Sequence, residues 1–221
     1  RPSTLGIGTE NKDFLDEPLY IGLPQRRLRG AEYDAFIEEF MQAVTERFPN
    51  VLVQFEDFGN QNAFTLLERY RNRYRVFNDD IQGTASVTLA GLLAALRLIT
   101  LESGATRKLT EQRLLFLGAG EAGVGIADLV VSEMVKQGLA AEEARQRCWF
   151  VDSHGLVVKS RTDLAAHKLP YAHDHEPVAD LITAVDELRP TILIGVSGQP
   201  RTFTRAIIEK MARFNERPII F

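Results

Sequence analysis

Three glycines and four carboxylates stand at spacings that could do chemistry in this chain. Gly118, Gly120 and Gly123 fall at G-x-G-x-x-G intervals, directly after the apolar run Leu114, Leu115, Phe116 and Leu117. In such a loop the first glycine permits a tight turn, the second lets the backbone approach a pyrophosphate, and the third lets helix pack on strand. The amides that open the following helix, through Ala119, Glu121 and Ala122, then face the phosphates. An acid is expected at the tip of the next strand, and Asp152 follows the apolar residues 148–151. It comes later than the usual interval of about 20 residues, because a long helix and a second helical piece at 141–146 intervene.

The carboxylates form two pairs, Glu56-Asp57 and Asp79-Asp80, each closing a short strand-like run at 51–55 and 76–78. Open α/β sheets bind ligands at such strand ends. Aspartate also caps helices and closes turns, so the pairs have a purely structural reading too. Neighbours on a strand point to opposite faces, so Glu56 and Asp57 reach one ion only if the strand breaks at Phe55; Gly59 supports such a break. Three convergent carboxylates suit a hard divalent ion such as magnesium or manganese, which takes roughly six oxygen ligands and leaves room for water and a chelating substrate. Histidine and cysteine are almost absent from these segments, which argues against zinc or iron–sulfur chemistry.

The elements that must position these groups are legible in the hydrophobic pattern. Residues 1–29 are loop-like, punctuated by Gly6, Gly8, Pro18, Gly22 and Pro24. Tyr33, Phe36, Ile37, Phe40, Met41, Val44 and Phe48 recur at helical spacing, and Pro49-Asn50 ends that helix. A helix with Phe64, Leu67, Tyr70 and Tyr74 on one side follows the first acidic pair. A long helix to about Ile99 follows the second; it is apolar nearly all round and should be buried. Val178 to Leu188 is an amphipathic helix ended by Pro190, and 191–196 is a buried strand with Ser197-Gly198-Gln199 at its end, where a nucleotide would pass. Thr204 reads as the N-cap of a last helix, and 218–221 enters another strand. His154, His167, His173 and His175 fall in a polar loop and read as solvated. The fold class is α/β: a doubly wound parallel sheet of Rossmann type, preceded by part of an α/β substrate and metal domain, with the boundary between 78 and 79.

Composition narrows the class. Of 221 residues 45% are apolar and 25% charged, ordinary for a soluble globular chain, and the net charge of −4 gives no footprint for nucleic acid. Arg69, Arg71, Arg73 and Arg75 are flanked by acids and read as a solvated helix face. The single cysteine, Cys148, cannot form an internal disulfide, reads as a buried thiol and fits a reducing compartment. No membrane span is expected. The chain begins on Arg1 and stops inside an apparent strand, so it is expected to be an internal piece of a longer protein.

Residues 54–91, QFEDFGNQNAFTLLERYRNRYRVFNDDIQGTASVTLAG, followed by FLGAGEAGVGIA, resemble the malic enzyme family, and GTENKDFLDEPLYIGLPQRR and FNERPIIF fit it at either end. The likeness runs across almost the whole chain. It implies that Glu56, Asp57 and Asp80 hold magnesium or manganese, that Asp79 hydrogen-bonds the catalytic lysine, and that Thr84, residues 118–123 (Gly118, Ala119, Gly120, Glu121, Ala122, Gly123), Asp152, Ser153, Lys168, Ser197 and Gly198 serve the cofactor. The implied reaction is oxidative decarboxylation of L-malate to pyruvate and carbon dioxide with reduction of NAD or NADP. A divalent ion would orient the substrate and then stabilise the enolate left by decarboxylation, and the cofactor would take the hydride. The family's general-base lysine, general-acid tyrosine and nicotinamide-side asparagine match no residues here, so the piece alone is expected to be inactive.

Asp152 alone would suit the ribose of NAD and repel the extra phosphate of NADP. Ser153 and Lys168 resemble residues of NADP-preferring members, although His154 stands where those often carry another lysine, and NADP is the expected cofactor. A malolactic enzyme of the same family, or a nucleotide-binding regulatory module without chemistry, are the rival readings; the four intact acids count against the second. The whole protein is expected to be a cytoplasmic homo-oligomer acting on L-malate, with no nucleic-acid or membrane partner; a mitochondrial or plastid location stays open.

Overall fold

The computed structural model describes residues 6–221 and divides the chain into two compact units, Arg1–Leu52 and Val53–Phe221. The loop-like expectation for residues 1–5 lies outside the described residues. In the first unit, the segment expected to be loop contains one helical turn, α1 (Lys12–Leu15), whose N-cap Asn11 accepts from the Asp13 amide at 3.0 Å. The expected long helix is α2 (Gly30–Arg47), with Tyr33, Ile37 and Met41 buried as a four-residue stripe.

The second unit holds two sheets. The small one pairs β1 (Val53–Phe55) in parallel with β2 (Val76–Asn78) across α3 (Asn60–Tyr70). The large one has order β5-β4-β3-β6-β7, where β3 is Leu114–Leu117, β4 Cys148–Asp152, β5 Gly155–Leu156, β6 Ile192–Gly195 and β7 Ile219–Ile220. β4, β3, β6 and β7 run parallel, and only β5 is antiparallel, against β4. The chain lays β4 on one side of β3 and then crosses to lay β6 on the other. The strand order therefore reverses beside β3, the place where open α/β sheets bind ligands at the carboxyl ends of their strands.

Helices cover both faces of this sheet. α4 (Thr84–Ser103), α5 (Glu121–Lys136) and α6 (Ala141–Gln146) contribute to one core with Phe116, Phe150 and Ile192, and α7 (Leu181–Leu188) and α8 (Arg205–Phe214) to a second with Leu115, Val151 and Leu193. The alternation follows the pleat, which sends successive residues of each strand to opposite faces. Asp180 caps α7 by accepting from the Thr183 amide at 2.9 Å, and Arg189 in the left-handed region ends it before Pro190. Thr204 stands at the N-cap of α8 as expected, but its hydroxyl makes no capping bond.

Four expectations are corrected. α4 is not buried all round: Ala85, Leu92 and Leu96 enter the core, while Val87 and Leu101 are 69% and 70% exposed, because the layer formed with α5 covers only one side. The stretch Asp79–Ser103 is also long and apolar enough to cross a membrane by length and composition alone, contrary to the expectation that no run reaches that length. The histidine-bearing segment is not a plain loop. It contains β5 and a 3-10 turn at Ala166–Tyr171, and His173 is buried, stacked 3.8 Å from Trp149 with Nε2 donating to the Cys148 carbonyl at 2.7 Å. Arg71, Arg73 and Arg75 lie beyond the end of α3, and the Arg73 guanidinium sits over the Tyr70 and Tyr74 rings rather than on a helix face.

Candidate cofactor and metal site

The glycine loop is built where the sheet needs it. Gly118 has φ of +113°, a backbone closed to most side chains, and a Cβ there would lie 2.7 Å from the Val196 carbonyl oxygen and 2.8 Å from the Ser197 amide. The turn after β3 therefore presses directly on Val196 and Ser197, which lead into the loop after β6; Gly198 lies in that loop. Gly120 is the N-cap of α5, and a Cβ on Gly123 would strike the Gly118 carbonyl. Gly125 adds a contact that the spacing alone does not reveal, since a Cβ on it would stand 2.5 Å from the Ile81 carbonyl. That approach docks the second acidic pair beside the start of α5.

Asp79 and Asp80 sit in a π-helical turn, Asp79–Gly83, that feeds α4. Asn78, fully buried, secures it by accepting from the Ile81 amide at 2.9 Å, and the Gln82 side chain accepts from the Asn78 amide at 3.1 Å. A side chain on Gly83 would collide with the Asp79 carboxylate, so that glycine makes room for the acid. The Thr84 amide donates to the Asp79 carbonyl at the junction with α4. The strand break anticipated near Phe55 is present: β1 ends there, and Asp57 and Gly59 both take positive φ, 56° and 76°.

Of the three metal-ligand candidates, Asp80 and Asp57 touch only through the Asp57 backbone. Asp80 Oδ2 accepts from the Asp57 amide at 2.9 Å, whereas the Glu56 carboxylate turns aside and accepts from Gln54 at 2.6 Å. Among the described residues no group of three or more His, Cys, Asp or Glu side chains is arranged to hold a metal. The donor chemistry suits a hard ion, but the three carboxylates do not converge. Glu121, buried in the first turn of α5, registers the accumulated negative charge. Burial, and then the charges of Asp80 and Asp57, push its carboxyl up to about 7.

Asp152 ends β4 as expected, but it does not stand open. Arg161 donates to both of its oxygens, at 2.8 and 3.2 Å, Lys168 Nζ to Oδ2 at 2.6 Å, and the His154 amide to Oδ1 at 2.9 Å. Burial pushes this carboxyl up, yet the Arg161 and Lys168 hydrogen bonds outweigh it and hold it below the usual carboxylate range. Arg161 also grips Asp163, which His154 Nδ1 meets at 2.6 Å. The sequence reading missed Arg161. Its only signal is a position nine residues beyond Asp152, across a β4–β5 hairpin whose Gly155 has φ of +101°. Ser153 follows Asp152 in that turn, and Cys148 is a buried thiol whose pKa burial raises further.

Residues 2–71 match the family model "Malic enzyme, N-terminal domain" and residues 81–221 match "Malic enzyme, NAD binding domain". The chain is 55% identical over 221 residues to an NADP-dependent malic enzyme of Rattus norvegicus and 56% identical over 223 residues to a chloroplastic one of Zea mays; all of this chain is covered in both, with 38% and 34% of those proteins. It thus spans about two-fifths or less of these relatives. A malic enzyme structure from Entamoeba histolytica superposes with a TM-score of 0.67 at 26% identity, covering 89% of this chain and 39% of that one. An NAD-dependent malic enzyme from Thermotoga maritima gives 0.64 at 25%, covering 84% and 45%.

Proposed function

This chain belongs to the malic enzyme family, and on that premise we propose that the protein carrying it oxidatively decarboxylates L-malate to pyruvate and carbon dioxide with reduction of NADP. The observation that carries this reading is the packing at the strand-order reversal beside β3, where the glycine turn lies on the loop after β6 and the Asp79–Gly83 turn lies on α5. That arrangement would seat a dinucleotide near the two acidic pairs.

In this reading the first amides of α5 receive the pyrophosphate and Gly120 leaves it room, while Gly118 and Gly123 let the turn pack on the loop after β6 and on itself. Arg161 and Lys168 offset the charge of Asp152, which would otherwise repel the 2′-phosphate, and this supports NADP over NAD; the rat and maize relatives are named as NADP-dependent. Glu56, Asp57 and Asp80 would hold a magnesium or manganese ion once Glu56 turns from Gln54. When bound, the nicotinamide supplies a hydride acceptor and the ion supplies Lewis acidity at the substrate's oxygens. Asp79, for which Gly83 leaves room, would orient a basic partner. The domain boundary at 78/79 belongs to the same reading, supported by the two family models, which leave only residues 72–80 between them.

The test is turnover by the whole protein with L-malate, NADP and manganese. Reduced cofactor forming in step with pyruvate is the expected result. Lactate without reduced cofactor would replace it with the malolactic reading, and binding of NADP without any malate chemistry would leave a regulatory module.

A further inference from the structure

His167 braces the phosphate-binding turn from outside its own strand–turn–helix unit. The ring stacks on Phe64 of α3, with centroids 5.0 Å apart and planes within 17°, and Nε2 lies 3.2 Å from the Ala119 carbonyl oxygen. A carbonyl only accepts, so Nε2 carries a hydrogen and donates.

The geometry of the peptide group gives this contact a consequence. The Ala119 carbonyl and the Gly120 N–H belong to one planar trans peptide, and in a trans peptide the two point in opposite directions. Holding the carbonyl on His167 therefore aims the Gly120 N–H the other way. Gly120 is the N-cap of α5, where amides have no intrahelical partner and anions bind. Glycines flank Ala119 on both sides and resist rotation of that peptide poorly.

We propose that His167 is a positioning residue for the dinucleotide: by fixing the plane of the Ala119–Gly120 peptide it presents the Gly120 N–H to the pyrophosphate. This rests on the reading of the glycine turn as the pyrophosphate seat. His167 acts on the part common to NAD and NADP, whereas its neighbour Lys168, on the Asp152 carboxylate, acts on the ribose end that distinguishes them.

Calorimetry on the whole protein, with NADP, NAD and 2′-AMP as probes, separates these roles. His167→Phe keeps a ring against Phe64 and loses the donor; His167→Gln keeps an N–H donor of similar reach. Loss of one hydrogen bond that orients a donor predicts a Kd raised roughly five- to tenfold in His167→Phe for NADP and NAD alike. His167→Gln is expected to stay within about twofold of the parent. 2′-AMP lacks the pyrophosphate and should bind all three proteins equally. Lys168→Gln should show the complementary pattern, with NADP and 2′-AMP weakened and NAD unchanged. Unaltered dinucleotide binding in His167→Phe would overturn the proposal, as would equal weakening of all three ligands by both His167 variants together with a lowered melting temperature, which would make the residue a prop for the loop. If the parent protein binds neither dinucleotide, the seat itself is misread and the proposal falls with it; if the parent binds and His167→Phe binds equally well, the proposal falls alone.

Discussion

Arg161 and Asp152 meet through two parallel hydrogen bonds, Nη1 to Oδ1 at 2.8 Å and Nη2 to Oδ2 at 3.2 Å, with both side chains about nine-tenths buried. The acid at the tip of β4 is thus held by a planar cation before any ligand arrives. Asp152 and Asp163 are balanced by Arg161 and Lys168, and removing Arg161 leaves that cluster one charge negative. Arg161→Gln should therefore raise the Kd for NADP by roughly tenfold and that for NAD much less. It should also lower stability by about 1–3 kcal/mol, because it strips a hydrogen-bonded partner from a largely buried carboxylate. Titration calorimetry and urea unfolding read the two effects, and equal weakening of both cofactors would contradict the charge argument.

Gly118 and Gly104 both have positive φ, +113° and +70°, but only Gly118 is crowded, by the Val196 carbonyl and the Ser197 amide. Gly118→Ala should cost well over 2 kcal/mol, since strain at φ adds to a clash with backbone that cannot move aside. Gly104→Ala, at the C-cap of α4 with nothing near, should cost only about 1 kcal/mol. Chemical denaturation of the two variants tests the ordering, and similar losses would mean that the loop after β6 yields.

Manganese binding, followed by the electron paramagnetic resonance of the free ion, bears on the acidic cluster directly. Asp80→Asn should weaken binding at least about tenfold, and Glu56→Gln should do the same if Glu56 leaves Gln54 to complete the ligand set. An unaffected Glu56→Gln would remove Glu56 from that set.

His173 makes stability depend on pH. Burial lowers its pKa from 6.5, so the folded protein favours the neutral ring. Above about 6.5 the ring is neutral in both states; as pH falls from there toward the folded value, the unfolded chain binds a proton that the fold does not, and stability drops. His167 is lowered in the same direction and adds to the drop. His173→Gln should flatten the fall in the urea midpoint between about pH 7 and 5 without abolishing it. A slope equal to that of the parent would mean that His173 titrates as an ordinary exposed residue.

What the sequence determined by itself was the part governed by local periodicity and backbone stereochemistry. The apolar strand 114–117, the glycine spacing, the acid after 151 and the break before Gly59 each follow from what those residues permit within a few positions, and each is found in place. Only the tertiary structure decided which side chains meet across many residues. Arg161 reaches Asp152 because the β4–β5 hairpin folds it back, His167 reaches Ala119 across 48 positions, and Gly125 is shaped by the carbonyl of Ile81. α4 showed the limit from the other side: its apolar composition fixed a helix, but burial depends on which layers lie against it, and here one face is covered and the other is not. Spacing records what the chain must do to its neighbours in sequence, whereas a charge balance or a hydrogen bond between distant loops exists only once the sheet order has set them side by side.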